Sequence, residues 1–195
     1  MARIRQDFGT LTLVMIPVAI ALNIAVGQLI YSLKIPLYLD SIGTVLVGVL
    51  AGPWAGALTG LLANLIWGLS GLNVFYAPFA AVAAVIGLMA GLFGEGGWLR
   101  RWWKVILAGL LTGLVAAAIS APISAYVFGG VTGSGQDVLV AMFRGMGLGI
   151  LPASFGQGVT SDPLDKMVTY LLVWLIVRRL PSRFKARFPR AGDVE

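Results

Sequence analysis

The sequence predicts an all-α membrane protein, a six-transmembrane-helix bundle with its N- and C-termini cytoplasmic, and three observations carry that prediction. The 195 residues are 58% hydrophobic and only 11% charged, with a mean hydropathy of +0.91, too apolar for a soluble domain of ordinary composition. The apolar residues fall in runs close to the roughly 20 residues of helix that a bilayer core demands. The basic residues fall between those runs, where they assign each loop a side, because Lys and Arg near helix ends concentrate in the cytoplasm.

The first run, residues 11–33, follows Arg3 and Arg5. It exceeds the roughly 7–15 apolar residues of a signal-peptide core, so it reads as a retained helix. Residues 41–69 are too long for one untilted helix and short for two, with "AGPWAG" (51–56) in the middle. Three further runs follow at 75–93, 105–128 and 164–180, the last a little short. Read as one span, 41–69 leaves five helices and puts the basic termini on opposite faces. Read as two short spans turning at Gly52-Pro53, it gives six. Every basic cluster is then cytoplasmic: Arg3 and Arg5, then Arg100, Arg101 and Lys104, then Arg178, Arg179, Arg183, Lys185, Arg187 and Arg190. The turn is therefore expected, with one domain over 1–181 and a basic cytoplasmic tail over 182–195.

The outer face then comprises 34–40 ("KIPLYLD"), 70–74 ("SGLNV") and a long loop, 129–163. That loop opens glycine-rich but contains "DVLVAMFRGM" (137–146), expected as a short helix lying over the membrane or dipping into it. Its apolar content argues against disorder. Small residues recur at four-residue spacing, as in Gly56 and Gly60, Gly87 and Gly91, Gly109 and Gly113, and Ala117, Ala121 and Ala125. Such spacing lets helices approach closely in lipid.

The composition excludes several chemistries. With no Cys and no His, thiolate or imidazole metal sites, Cys or Ser/His nucleophiles and His-ligated haem are ruled out. No cofactor and no metal are expected, and a dedicated cobalt or nickel site is disfavoured. The formal charge of +6 sits at the chain ends and in one loop, not interleaved with aromatics, so it does not point to nucleic acid. No phosphate-cradling GxxxxGK[ST] occurs, so ATP hydrolysis by that route is excluded. No row of intramembrane carboxylates, inverted repeat or ring of like groups suggests a secondary transporter or a pore.

Polar groups at membrane depth are expensive and mark either a site or helix-to-helix hydrogen bonding. Asn23 reads mainly as the latter. Asn64 and Trp67, three apart on one helical face, lead toward Asn73 and Tyr76 at the outer surface. Ser161, Asp162, Asp165 and Lys166 open the last span, with Asp162 before Pro163 expected as an N-cap with proline at N1. Tyr38 and Asp40 from the first outer loop, and Gln136, Asp137, Arg144 and Gln157 from the last, are expected to converge on the same outward cavity. The candidate binding set is thus Tyr38, Asp40, Asn64, Trp67, Asn73, Tyr76, Gln136, Arg144, Asp165 and Lys166. These side chains suit stacking and hydrogen bonding to a small heterocycle such as a vitamin, nucleobase or nucleoside.

The sequence resembles the substrate-binding membrane subunits (S components) of energy-coupling factor transporters, the vitamin-uptake relatives of ABC importers. The likeness runs over 11–181. It is carried by "YLDSIGTVLVGVLAGPWAGALTGLLANLIWG" for the paired short helices, "YAPFAAVAAVIGLMAGLFG" for the fourth span and "SDPLDKMVTYLLVWLIVRRLP" for the sixth. The resemblance implies a prokaryotic plasma-membrane protein that is not an enzyme. It also implies partners: a transmembrane coupling subunit, two ATPase subunits and the surrounding lipid bilayer. Ligand would bind under the outer loops, and the subunit would reorient in the membrane when docked. The family packs small residues of helix 1 on the coupling subunit, which implicates Ala21 and Ala25, an AxxxA, with Ala19 flanking. Two other readings stay open at this stage: a ligand-sensing or scaffold protein without a transport role, and an enzyme using Asp162 and Asp165. The sensing reading alone is weakened by a chain expected to end about fifteen residues after the last span, with no output domain.

Overall fold

The computed structural model describes residues 6–188 and 190, and the structure is all-helical, with no strand among those residues. Six helices of ten residues or more form the bundle: α1 (Thr10–Ser32), α2 (Ile42–Ala51), α3 (Pro53–Leu69), α4 (Ala80–Glu95), α5 (Trp102–Phe128) and, after the nine-residue α6 (Asp137–Gly145), α7 (Ile150–Arg179). A short α8 (Ser182–Lys185) follows. Three segments are long and apolar enough to cross a membrane: Thr10–Ser32, Ala77–Glu95 and Trp102–Phe128, with mean hydropathies of 2.2, 2.0 and 2.1. Arg3 and Arg5 lie outside the described residues.

The question posed by "AGPWAG" has a plain outcome: the chain turns back. Gly52 takes φ 122°, which ends α2, and Pro53 starts α3 at a position where its missing N–H is not needed. Gly48 lies against Gly56, and Thr44 against Gly60. These pairs are symmetric about Gly52, which is the register of an antiparallel hairpin. Gly52 has no side chain to cap α3. Asp7 supplies one instead, its Oδ2 accepting from the Trp54 N–H at 3.1 Å, where a carboxylate also meets the positive end of the helix dipole. A Cβ on Gly52 would sit 2.3 Å from the Asp7 Oδ1, so both the backbone and the carboxylate require glycine here.

The small-residue pairs seat the helices on one another. Gly56 and Gly60 of α3 face Gly87 and Ala83 of α4, where a Cβ on Gly87 would fall 2.1 Å from the Gly56 carbonyl oxygen. Gly109 and Gly113 of α5 face Met167 and Pro163 of α7, again in antiparallel register. Inside lipid, association gains little from apolar transfer, and such close backbone approach is what holds helices together. At the centre lies α2, with nine of its ten residues buried. At 1.5 Å per residue it is about 15 Å long, half a bilayer core. Asn23 ties it to α1, donating to the Thr44 hydroxyl at 2.8 Å and accepting from the Gly43 N–H at 2.7 Å.

One expectation is corrected. The last helix does not begin at Pro163: α7 starts at Ile150 and runs for 30 residues with Asp162 and Pro163 inside it, so Asp162 is not an N-cap. Pro163 is tolerated because a proline in a packed helix frees only local backbone groups that its neighbours can satisfy, and its Cα rests against Gly113. The tail, as far as it is described, packs back on the bundle. Phe188 is buried, the Arg190 N–H donates to the Leu50 carbonyl at 3.2 Å, and the Arg190 guanidinium reaches Glu95 at 3.0 Å and Asp7 at 3.6 Å. Residues near both chain ends, the Gly52 turn and the end of α4 thus meet at one end of the bundle.

Candidate ligand-binding cavity

At the opposite end, the bundle encloses a cavity that opens to solvent, with about 850 Å³ of empty space counted out through its mouth. Its floor comes from α3, α4, α5 and α7: Asn64, then Val82, Ala83 and Ile86, then Ala116, Ser120 and Ser124, then Gln157, Asp162 and Lys166. Its rim comes from loop residues Tyr38, Asp40, Ser41, Phe75, Tyr76, Thr132 and Ser134, joined by Tyr31, Phe79 and Asp137 at the ends of helices.

The loop between α1 and α2 brings non-helical backbone deep into the bundle, and its amide groups need partners. Asp165 provides them. This fully buried carboxylate accepts from the N–H groups of Tyr38 and Leu39 at 2.8 Å each, and from the Lys166 ammonium at 2.6 Å. Leu39 there adopts φ 48°, an uncommon conformation for a branched residue, held by those bonds. Lys166 also donates to the Ser41 hydroxyl at 2.9 Å and reaches Asp40 at 3.5 Å. Burial pushes the Asp40 carboxyl up, with Lys166 pulling the other way. The Tyr38 and Tyr76 phenols are held well above their usual range by burial and then by neighbouring carboxylates, so both remain protonated donors.

Of the ten predicted binding residues, the structure gathers Tyr38, Asp40, Asn64, Tyr76 and Lys166 on the cavity wall. Trp67 lies one layer behind, stacked on Tyr76 with ring centroids 3.5 Å apart, and its indole N–H donates to Gln28 at 3.1 Å. The bare face of Gly27 makes room for that indole. Asn73 shapes the turn into the rim, its side-chain oxygen accepting from the Phe75 N–H at 3.2 Å. Asp165 is the loop anchor rather than a wall residue. Gln136 is buried off the wall, and its amide atoms have no hydrogen-bond partner among the described residues. Arg144 is exposed and donates to the Leu148 carbonyl at 3.1 Å, outside the cavity. Among the described residues, no group of His, Cys, Asp and Glu is arranged to hold a metal ion.

Sequence reasoning passed over Ser120 and Ser124. Their four-residue spacing puts both hydroxyls on one face of an otherwise apolar span, a signal that was there to be used. Tyr31, Phe75 and Phe79 carried none, since aromatic residues near span ends are ordinary membrane-interface composition.

The helix 1 alanines separate. Ala21 and Ala25 are exposed on one stripe of α1 with Val14, Val18 and Leu29, whereas Ala19 is buried, with its backbone against Gly43. Ala19 is therefore internal packing and not available to a partner. No family model matches the chain, and no curated protein or solved structure does.

Proposed function

We propose that the chain is the membrane-embedded substrate-binding subunit of an energy-coupling factor type importer, a six-span bundle with cytoplasmic termini that captures a small molecule outside. One observation carries this reading: a cavity with aromatic and hydrogen-bonding walls opens at the bundle end opposite the one where Asp7 and Arg190 meet. Arg100 and Arg101 follow α4, Lys104 lies in the first turn of α5 and Arg178 and Arg179 close α7, all toward that other end, which the positive-inside preference assigns to the cytoplasm. In this arrangement α2 crosses as a short helix, sheltered from lipid by its neighbours. The chain brings no nucleotide motif, so the energy for release inward comes from partner ATPases. The exposed Ala21–Ala25 stripe of α1 is the surface offered to the coupling subunit.

The test uses the purified chain against a panel of vitamins, nucleobases and nucleosides. One compound should raise Tm, since a ligand at a hundredfold its Kd adds about 2.7 kcal/mol to the folded state, and Tyr76→Ala should remove the shift. A panel without any stabilising compound counts against the reading. Sidedness is tested separately in a chain with no native Cys: an impermeant maleimide should label Ser134→Cys in intact cells and Ser182→Cys only after permeabilisation. The reverse pattern would overturn the topology.

A further inference from the structure

We propose that the cavity selects an organic cation, a compact aromatic molecule whose positive charge is seated against Asp162. The inference rests on the cavity being a binding site, and it names the class of molecule that site prefers.

Charge is the first argument. Asp40, Asp162 and Asp165 face a single ammonium, Lys166, and that ammonium is committed to Asp165 at 2.6 Å, Ser41 at 2.9 Å and Asp40 at 3.5 Å. Three carboxylates against one ammonium leave a formal excess of two negative charges. Asp162 carries the unanswered part. It is 5% exposed and lines the cavity, and its bonds are from the hydroxyls of Ser120 and Ser161, both at 3.3 Å. Among the described residues, no ammonium or guanidinium lies within 4.0 Å of it. Neutral hydroxyls lower the cost of a buried carboxylate without cancelling its charge, and a buried charge is normally paired. An anion entering here would add to the excess, a neutral molecule would leave it, and a cation would cancel it.

Two independent features point to an occupant of this kind. Asn64 is 5% exposed, lines the cavity and forms no hydrogen bond among the described residues. Its amide faces the open space and offers a carbonyl to a ligand N–H and N–H groups to a ligand acceptor. Tyr76, Phe75 and Phe79 also line the space. Aromatic faces attract cations most strongly where water is excluded, and Trp67 behind Tyr76 fixes that ring in place. The Tyr38 face is already approached by Lys166 at 6.0 Å, which leaves the others for the ligand.

The experiment compares three molecules with one ring and different charge on the purified full chain: 1-methylnicotinamide (cation), nicotinamide (neutral) and nicotinate (anion), each titrated with Tm as readout. The cation should act at a concentration roughly tenfold or more below the neutral molecule, the range expected for a desolvated charge pair and ring contact. Nicotinate should not act at all. In Asp162→Asn the preference for the cation should vanish. If nicotinamide or nicotinate stabilises the wild-type chain as well as the cation does, the charge class is wrong while the binding site stands. If the cation is preferred equally in Asp162→Asn, the seat is wrong. If none of the three changes Tm, while a compound of the vitamin and nucleoside panel does so through Tyr76, the cation class falls alone; if nothing acts in either set, the binding reading falls with it.

Discussion

The two ends of the bundle treat buried acid in opposite ways. At one end, Asp7 and Glu95 both reach the Arg190 guanidinium, and Asp7 also receives a backbone N–H at the start of α3. At the cavity end, among the described residues, Asp162 has no cation within 4.0 Å and Asn64 forms no side-chain hydrogen bond, and both line the open space. The first arrangement fastens four segments together. The second leaves polar groups presented to a space, which is what a recognition site needs and what a stable core avoids.

That contrast can be broken most forcefully at Lys166. Replacing it by Met leaves Asp40 and Asp165 buried without their cation, and losing one member of a buried pair costs about 3–5 kcal/mol. Thermal unfolding of Lys166→Met in detergent should show a large drop in Tm, and an unchanged Tm would mean that the loop anchor is not what holds the cavity rim. Arg190→Ala acts on the fastened end. It keeps the backbone bond to Leu50 and removes both ion pairs, and because the guanidinium is 18% exposed, the expected loss is smaller, about 1–2 kcal/mol. Asp162→Asn should run the other way, raising the stability of the ligand-free chain by about 0.5–1 kcal/mol, since a strained functional charge is being neutralised. A loss of stability there would place Asp162 among the fasteners.

The smallest effect is a pH dependence at Asp7. Burial, outweighing Arg190 and the Trp54 N–H, holds its carboxyl above the ordinary value of 3.8. The folded chain therefore binds more protons than the unfolded chain in the window just above 3.8, and the Asp7 contribution to stability falls as pH rises through it. Asp7→Asn should flatten that part of the curve relative to wild type. An identical slope in both chains would exclude Asp7 as its source.

The bundle was legible where the sequence carries local chemistry. Gly52-Pro53 marks a turn because only glycine takes its backbone angle readily and proline starts a helix well. The glycine pairs marked the close crossings of α3 with α4 and α5 with α7. The start of α7 was not legible, because Asp162-Pro163 has the form of a helix start and only packing against Gly113 shows otherwise. Half of the cavity wall candidates were legible as polar or aromatic residues near span ends. Asp165 was misassigned for a different reason: its partners are the backbone amides of Tyr38 and Leu39, and no pattern of side chains in a sequence reports where a distant amide will need an acceptor. Ala19 and Ala21 differ by two positions, and only the placement of α2 beside α1 tells the buried one from the exposed one.

The Arg190 contacts have a consequence for how the molecule is made. Ribosomes deliver Asp7, the turn at Gly52 and the end of α4 well before Arg190, so these parts are made before that cation arrives. The helices find their places before Arg190 arrives, and the stretch of chain that carries it then closes that end, as a drawstring closes a bag already filled.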